Sequence, residues 1–131
     1  MKIVIVLLLF GFNITLQAQS EEKPFTYVEK MPSFPGGTDS MYIYLYRNIH
    51  YPADARKYKI TGQVITQFTV SPEGEIQDIK IVRGIGYGCN EEAERIIASM
   101  NDGHKWIPGL HNGKPVPVTF TLPIKFTMQG D

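Results

Sequence analysis

Residues Val116 to Met128 read VPVTFTLPIKFTM. Val116, Val118, Phe120, Leu122, Ile124 and Phe126 alternate without a break against Pro117, Thr119, Thr121, Pro123, Lys125 and Thr127. Period-two alternation over this length predicts a β-strand with one apolar face on a core. The two prolines stand on the other face. Proline has no N–H to give to a ladder, which confines it to edge strands, strand starts and bulges. The strand is therefore expected at the edge of a sheet, with one side unpaired for part of its length. A long edge strand is either a guarded liability or a surface on which another strand docks.

Working outward, Asn112-Gly113 lies just ahead of this strand, and Asn-Gly suits the two positive-φ positions of a type I′ hairpin turn. Further upstream, Gln63 to Val70 alternates in the same period of two. Ser71-Pro72-Glu73-Gly74 then makes a tight turn, and Glu75 to Arg83 returns with Ile79 and Ile81 on one face. These two segments predict a hairpin, whose edge the closing strand must join.

Three helices are expected around that sheet. The first follows the turn-forming run Met31-Pro32-Ser33-Phe34-Pro35-Gly36-Gly37, with Thr38 or Asp39 as its cap. Met41, Leu45 and Ile49 recur on one face, and Tyr42, Tyr44 and Tyr46 form an aromatic girdle best read as a packing surface. Tyr51-Pro52 restarts the pattern, because proline suits a first helical position, and Ala53 to Lys59 continues it. After the glycine-rich connection Gly84 to Gly88, Asn90 is expected to cap a third helix, with Glu91, Glu92 and Glu94 near its positive end. Ala93, Ile96, Ile97 and Met100 make its apolar stripe, Glu91 and Arg95 an i,i+4 pair, and Asn101-Asp102-Gly103 its stop. The order helix, helix, strand, strand, helix, strand predicts an α+β fold. It is a two-layer sandwich of a small three-stranded antiparallel sheet with helices on one face. A brief strand at Phe25 to Val28 is also possible.

The chain has 131 residues, 43% of them apolar and 20% charged, the makeup of one ordinary globular domain. Its 13 basic and 13 acidic residues cancel, so it carries no electrostatic footprint for nucleic acid. Catalytic chemistry finds no support. His50, His104 and His111 fall in three segments with no metal-ligand spacing. Cys89 cannot form an internal disulfide, and its acidic neighbours Glu91 and Glu92 disfavour the thiolate. Gly84-Ile85-Gly86-Tyr87-Gly88 lacks the spacing and basic residue of a phosphate loop. No catalytic residue, metal or cofactor is expected.

Residues 1–18 combine a basic Lys2, an apolar run from Ile3 to Phe10, and Leu16 and Ala18 at the positions a signal peptidase reads, so Gln19 would begin the mature chain. The rival reading, an uncleaved membrane anchor, is weakened by Gly11, Asn13, Thr15 and Gln17, which interrupt the stretch short of the ~20 apolar residues a span needs. Residues 19–32 then form a short tether and 33–131 the domain.

From about Phe34 to Met128 the chain resembles the C-terminal domain of TonB-type energy transducers, in the form common in Bacteroidetes. The resemblance rests on Phe34-Pro35-Gly36-Gly37, Tyr51-Pro52 with Ala53 and Ala55, and Gly62-Gln63-Val64 running to Phe68-Thr69-Val70. It continues through Gly74, Glu92-Ala93 to Ile97, Trp106 with Pro108-Gly109, Asn112-Gly113-Lys114-Pro115-Val116, and Leu122-Pro123-Ile124 with Phe126. It implies a periplasmic domain that grips the TonB box, an extended segment at the N-terminus of an outer-membrane receptor, as a strand beside its own last strand. Carried over, the docking edge is Val116 to Phe126, comprising Val116, Val118, Thr119, Phe120, Thr121, Leu122, Ile124, Lys125 and Phe126. Tyr51-Pro52 would be the nearby loop that meets the receptor plug, with Asn48 and His50 standing where better-known members carry glutamines. The connection from Met100 to Trp106 also looks longer than the family's usual one.

A full transducer adds an inner-membrane helix engaging the ExbB–ExbD motor and a long proline-rich spacer. Here about fifteen residues separate the leader-like segment ending at Ala18 from the domain motifs beginning at Phe34, roughly 50 Å at full extension. The expectation is thus a free-standing periplasmic binding module. The alternatives are a short anchored transducer working with ExbB–ExbD and a homodimer paired through the exposed edge strand.

Overall fold

The structure, a computed structural model, describes residues 23–128. The expected signal peptide and the first residues of the tether lie outside the described residues. Helices α1 (Thr38–Asn48) and α2 (Ala53–Lys57) precede strands β1 (Gly62–Val70) and β2 (Ile76–Arg83). Helix α3 (Cys89–Ser99) follows, then β3 (Gly109–His111), β4 (Lys114–Val116) and β5 (Val118–Phe126). The main sheet has the order β2-β1-β5, antiparallel throughout, and β3 and β4 form a separate two-stranded sheet. The expected α+β architecture is present, and the β3–β4 hairpin is added to it.

The β1–β2 hairpin forms as its turn chemistry demands. Gly74 takes φ 87° and donates its N–H to the Ser71 carbonyl (2.9 Å), while the Ser71 N–H reaches Glu75 (2.8 Å). A side chain at 74 is excluded twice over, since a Cβ would also sit 2.2 Å from the Trp106 carbonyl oxygen. Asn112 (φ 53°) and Gly113 (φ 75°) turn the β3–β4 hairpin in the left-handed conformation expected of them. Pro117 divides the alternating stretch from Val116 to Met128. Val116 pairs with Gly109 in the small sheet, whereas Val118 onward pairs with β1.

Val64, Phe68 and Val70 of β1 and Leu122, Ile124 and Phe126 of β5 enter one core with Met41, Leu45, Ala93, Ile96, Ile97 and Met100. Helix α3 packs on β1 and β2, and Tyr44 of α1 joins it through a hydroxyl 2.7 Å from that of Ser99. Tyr44 is thus drawn into the helix layer. Tyr42 and Tyr46 stay 50% and 75% exposed, so the girdle is divided between core and surface.

Several helix ends differ from their sequence readings. Helix α1 starts after Gly37, with no side-chain cap from Thr38 or Asp39. Helix α2 stops at Lys57, because Lys59 turns left-handed at φ 55°. Asn90 lies inside α3, and its side-chain oxygen accepts the N–H groups of Ile85 (3.0 Å) and Gly86 (3.2 Å), closing the glycine-rich loop and leaving the helix end uncapped. Arg95 pairs with Glu92 one turn back (2.7 Å), not with Glu91. Between Phe25 and Val28 the expected strand shrinks to an isolated bridge at Phe25.

Candidate functional site: the edge of β5

Nine residue pairs join β5 to β1, from Gly62–Phe126 to Val70–Val118, with no interruption. Each residue of an antiparallel strand sends its N–H and C=O to the same side, and successive residues alternate sides. Pro123 stands opposite Ile65 and has no N–H, so it fits a position whose backbone faces away from β1. Residues 119, 121, 125 and 127 share its parity and face away too. Two observed bonds agree: the Pro117 carbonyl accepts from the Phe25 N–H (3.0 Å), and the Thr119 N–H donates to the Phe25 carbonyl (2.7 Å).

The even-numbered residues are committed elsewhere. Leu122, Ile124 and Phe126 are buried in the main core, Val118 is buried outside it, and Phe120 packs partly buried against the core. Their backbone groups serve the β1 ladder, reinforced by the buried Thr66 hydroxyl, which donates to the Leu122 carbonyl (2.7 Å). The groups open to a new strand therefore belong to Thr119 (carbonyl only), Thr121, Pro123 (carbonyl only), Lys125 and Thr127.

The opposite edge of the sheet is guarded. Asp78 takes φ 51° where the β1–β2 register shifts, so that Asp78 and Ile79 together oppose one position of β1. A bulge and the exposed charges of Asp78, Lys80 and Arg83 are the usual means of discouraging edge-to-edge pairing. Edge β5 has no bulge against β1 and carries only Pro123 and the exposed Lys125 in that role. Beside its free half lies an open groove of about 480 Å³ between α1 and β5, lined by Tyr42, Leu45, Tyr46 and Ile49 from the helix side and by Gln63 and residues 123–125 and 127 from the sheet.

The remaining residues singled out in the sequence gather at the Phe126 end of β5. The Tyr51 ring meets Phe126 edge-on (5.9 Å between centroids), its hydroxyl donates to the Ile60 carbonyl, and the Arg56 guanidinium lies over it at 5.3 Å. Burial, then the nearby Cys89, raise the Tyr51 hydroxyl above its ordinary pKa, with Arg56 opposing. Pro52 sits against Gly88 so closely that a Cβ there would come within 2.9 Å of it. Tyr51 thus ties α2 to the sheet and Pro52 packs on the loop before α3, while Asn48 and His50 are exposed beside them. Val116 lies apart, in the small sheet. Cys89 is fully buried, and burial first, then Glu91 and Glu92, raise its pKa, which leaves an inert thiol.

One residue that the sequence reading treated as a dipole partner has a larger role. Glu92 accepts the His50 backbone N–H (2.6 Å) and two bonds from Arg95, whose guanidinium also reaches the Asn48 carbonyl (2.9 Å). This network fixes the Asn48–Pro52 loop to α3. Burial works to raise the Glu92 pKa, but the Arg95 and His50 bonds outweigh it and hold the carboxylate below its ordinary value of 4.5. Ionised Glu92 therefore adds stability above that value, and the contribution is lost as the pH falls through its lower folded pKa. Glu92→Gln is expected to cost about 1–2 kcal/mol at pH 7. Urea titrations should show its gap to the parent closing progressively as the solution is acidified below pH 4.5.

A small α+β domain with a regular, groove-flanked sheet edge has the form of a protein-interaction module. The family described as Gram-negative bacterial TonB protein C-terminal matches residues 47–128, and the chain belongs to it. Two solution NMR structures of the Helicobacter pylori TonB C-terminal domain are similar in fold. One is 25% identical at TM-score 0.53, covering 74% of this chain and 89% of the other. The second is 24% identical at TM-score 0.53, covering 72% and 99%. No curated protein matches the chain. Membership places the domain in TonB-dependent transport and on the periplasmic side of that system. No helix among the described residues is long and apolar enough to cross a membrane.

Proposed function

We propose that this domain binds the extended N-terminal segment of a TonB-dependent outer-membrane receptor, the TonB box, as a fourth strand beside β5. The observation that carries this reading is the row of outward backbone groups from Thr121 to Thr127, lying beside an apolar groove. A guest strand there would bond to Thr121, Pro123, Lys125 and Thr127. Its side chains in step with Leu122, Ile124 and Phe126 would turn toward Tyr42, Leu45, Tyr46 and Ile49. Main-chain bonds supply affinity in this mode, and the groove supplies selectivity for apolar residues at alternate guest positions. Tyr51 and Pro52, with Asn48 and His50, form the adjoining surface that would meet the receptor plug. Titration with a receptor N-terminal peptide is expected to shift the NMR amide signals of Thr121, Lys125 and Thr127 most. Shifts confined to β2 or α3 would refute the assignment.

The proposed setting is a free periplasmic module, exported by a signal peptide over residues 1–18, that competes with, assists or senses a full transducer. Mass measurement of the mature chain decides this, since an N-terminus at Gln19 excludes a short anchored transducer working with ExbB–ExbD. The same free edge also suits a second copy of the chain. A monomer in sedimentation at high concentration would remove the homodimer.

A further inference from the structure

The edge of β5 is already occupied at one end by the chain itself. Phe25 lies in parallel register with Val118, bonded to Pro117 and Thr119 as described, with its ring 5.1 Å from that of His111. The segment that carries it is fastened further along. Lys30 exchanges two bonds with Leu110 (3.1 and 2.8 Å), Ser33 exchanges two with Ile107 (3.0 and 2.8 Å), and the Glu29 carboxylate accepts the Asn112 N–H (2.8 Å). Val28 is only 1% exposed yet stands, like Val118, outside the main core. The segment thus has a fixed root at residues 28–33 and a lightly held tip at Phe25.

From these contacts we infer that residues 23–27 are a built-in competitor strand, which a guest must release to use the Thr119 end of the edge. This rests on the docking reading above and deepens it. Pro123 interrupts the outward donors, so the edge falls into two stretches. The stretch from the Pro117 carbonyl through Thr119 to Thr121 contains no missing donor, and Phe25 holds its Pro117 carbonyl and Thr119 N–H. A guest that stays beyond Thr119 must span the gap at Pro123, whereas one that displaces Phe25 gains the uninterrupted stretch. Because the root stays anchored, the tip returns when the guest leaves. The device sets a threshold for docking without an added partner.

The test uses the full chain and Phe25→Pro, which removes the donated N–H and the ring but leaves the root intact. Hydrogen exchange should show the Thr119 amide losing protection while those of Leu122 and Ile124 keep theirs. Calorimetry with a receptor N-terminal peptide should then show about tenfold tighter binding to the variant. A synthetic peptide of residues 21–29 should compete with the receptor peptide for the variant. A Thr119 amide that exchanges freely in the parent chain overturns the strap, and equal affinity of the two chains overturns the competition. If the receptor peptide binds neither chain, the docking reading itself fails and the competitor role with it, whatever the exchange data show.

Discussion

A chain carrying alanine at position 106 is expected to lose about 3–5 kcal/mol of stability, the usual range for truncating a buried Trp. Trp106 is 2% exposed and sits at the centre of an aromatic cluster, with ring centroids 5.2 Å from Phe120, 5.6 Å from Phe68 and 5.9 Å from Phe34. Those three rings come from β5, β1 and the turn before α1, so the indole joins segments far apart in sequence. Its backbone matters as well: the Trp106 N–H donates to the Gly74 carbonyl (2.9 Å), pinning the β1–β2 turn. Against a total stability of about 5–15 kcal/mol, the loss is large enough to lower the melting temperature by on the order of 15 °C. Trp106→Phe should cost much less. The indole N–H is buried and has no hydrogen-bond partner among the described residues, so phenylalanine gives up volume but also removes a desolvated donor. Thermal melts of the two variants check this, and an alanine variant as stable as the parent would remove Trp106 from the centre of the core.

That cluster was not readable from spacing, because Phe34, Phe68, Trp106 and Phe120 share no local period. Where side chains repeat within one element, the sequence was informative. The Ala93–Ile96–Ile97–Met100 stripe, the Gln63–Val70 alternation and the Asn112-Gly113 turn all express local geometry, and each takes its expected place. Readings failed where one polar side chain had two uses for the same atoms. Asn90 had the chemistry of a helix cap but closes the loop before the helix. Asn101, expected only to stop α3, bonds both the N–H (2.8 Å) and the carbonyl (3.0 Å) of Ile76 across the fold. Glu92 was legible as a charge at a helix start, but its bond to the His50 amide spans forty-two positions and leaves no trace in any period. The candidate site divides in the same way. Alternation and prolines marked β5 as an edge. Which half of that edge is open depends on where Phe25 comes to rest, and a single bridging residue has no periodicity to announce it.

Proline substitution at Thr121 and Lys125 together should weaken docking at the edge roughly a hundredfold while sparing the fold. Both residues share the parity of Pro123, so their N–H groups face away from β1 and contribute nothing to the ladder. Both precede or follow residues already extended, which the proline ring tolerates. The losses inside the protein are small: Thr121 gives up one exposed side-chain bond from Gln67 (3.3 Å). A guest strand, by contrast, would face an edge with no donor between Thr119 and Thr127. Two guest carbonyls would lie unpaired against the sheet, at about 1–2 kcal/mol each, which corresponds to roughly a hundredfold weaker binding. Circular dichroism should show an unchanged spectrum and a melting temperature within a few degrees of the parent, the scale of about 1 kcal/mol. Leu122→Pro provides the opposite control. Its N–H serves β1 and its side chain is 2% exposed, so it should unfold the domain. If the double proline variant remains folded and binds the receptor peptide as tightly as the parent, the guest does not lie along β5. Full binding by Thr121→Val and loss by Thr121→Pro would locate the interaction in the backbone, because valine keeps the N–H and removes only the hydroxyl.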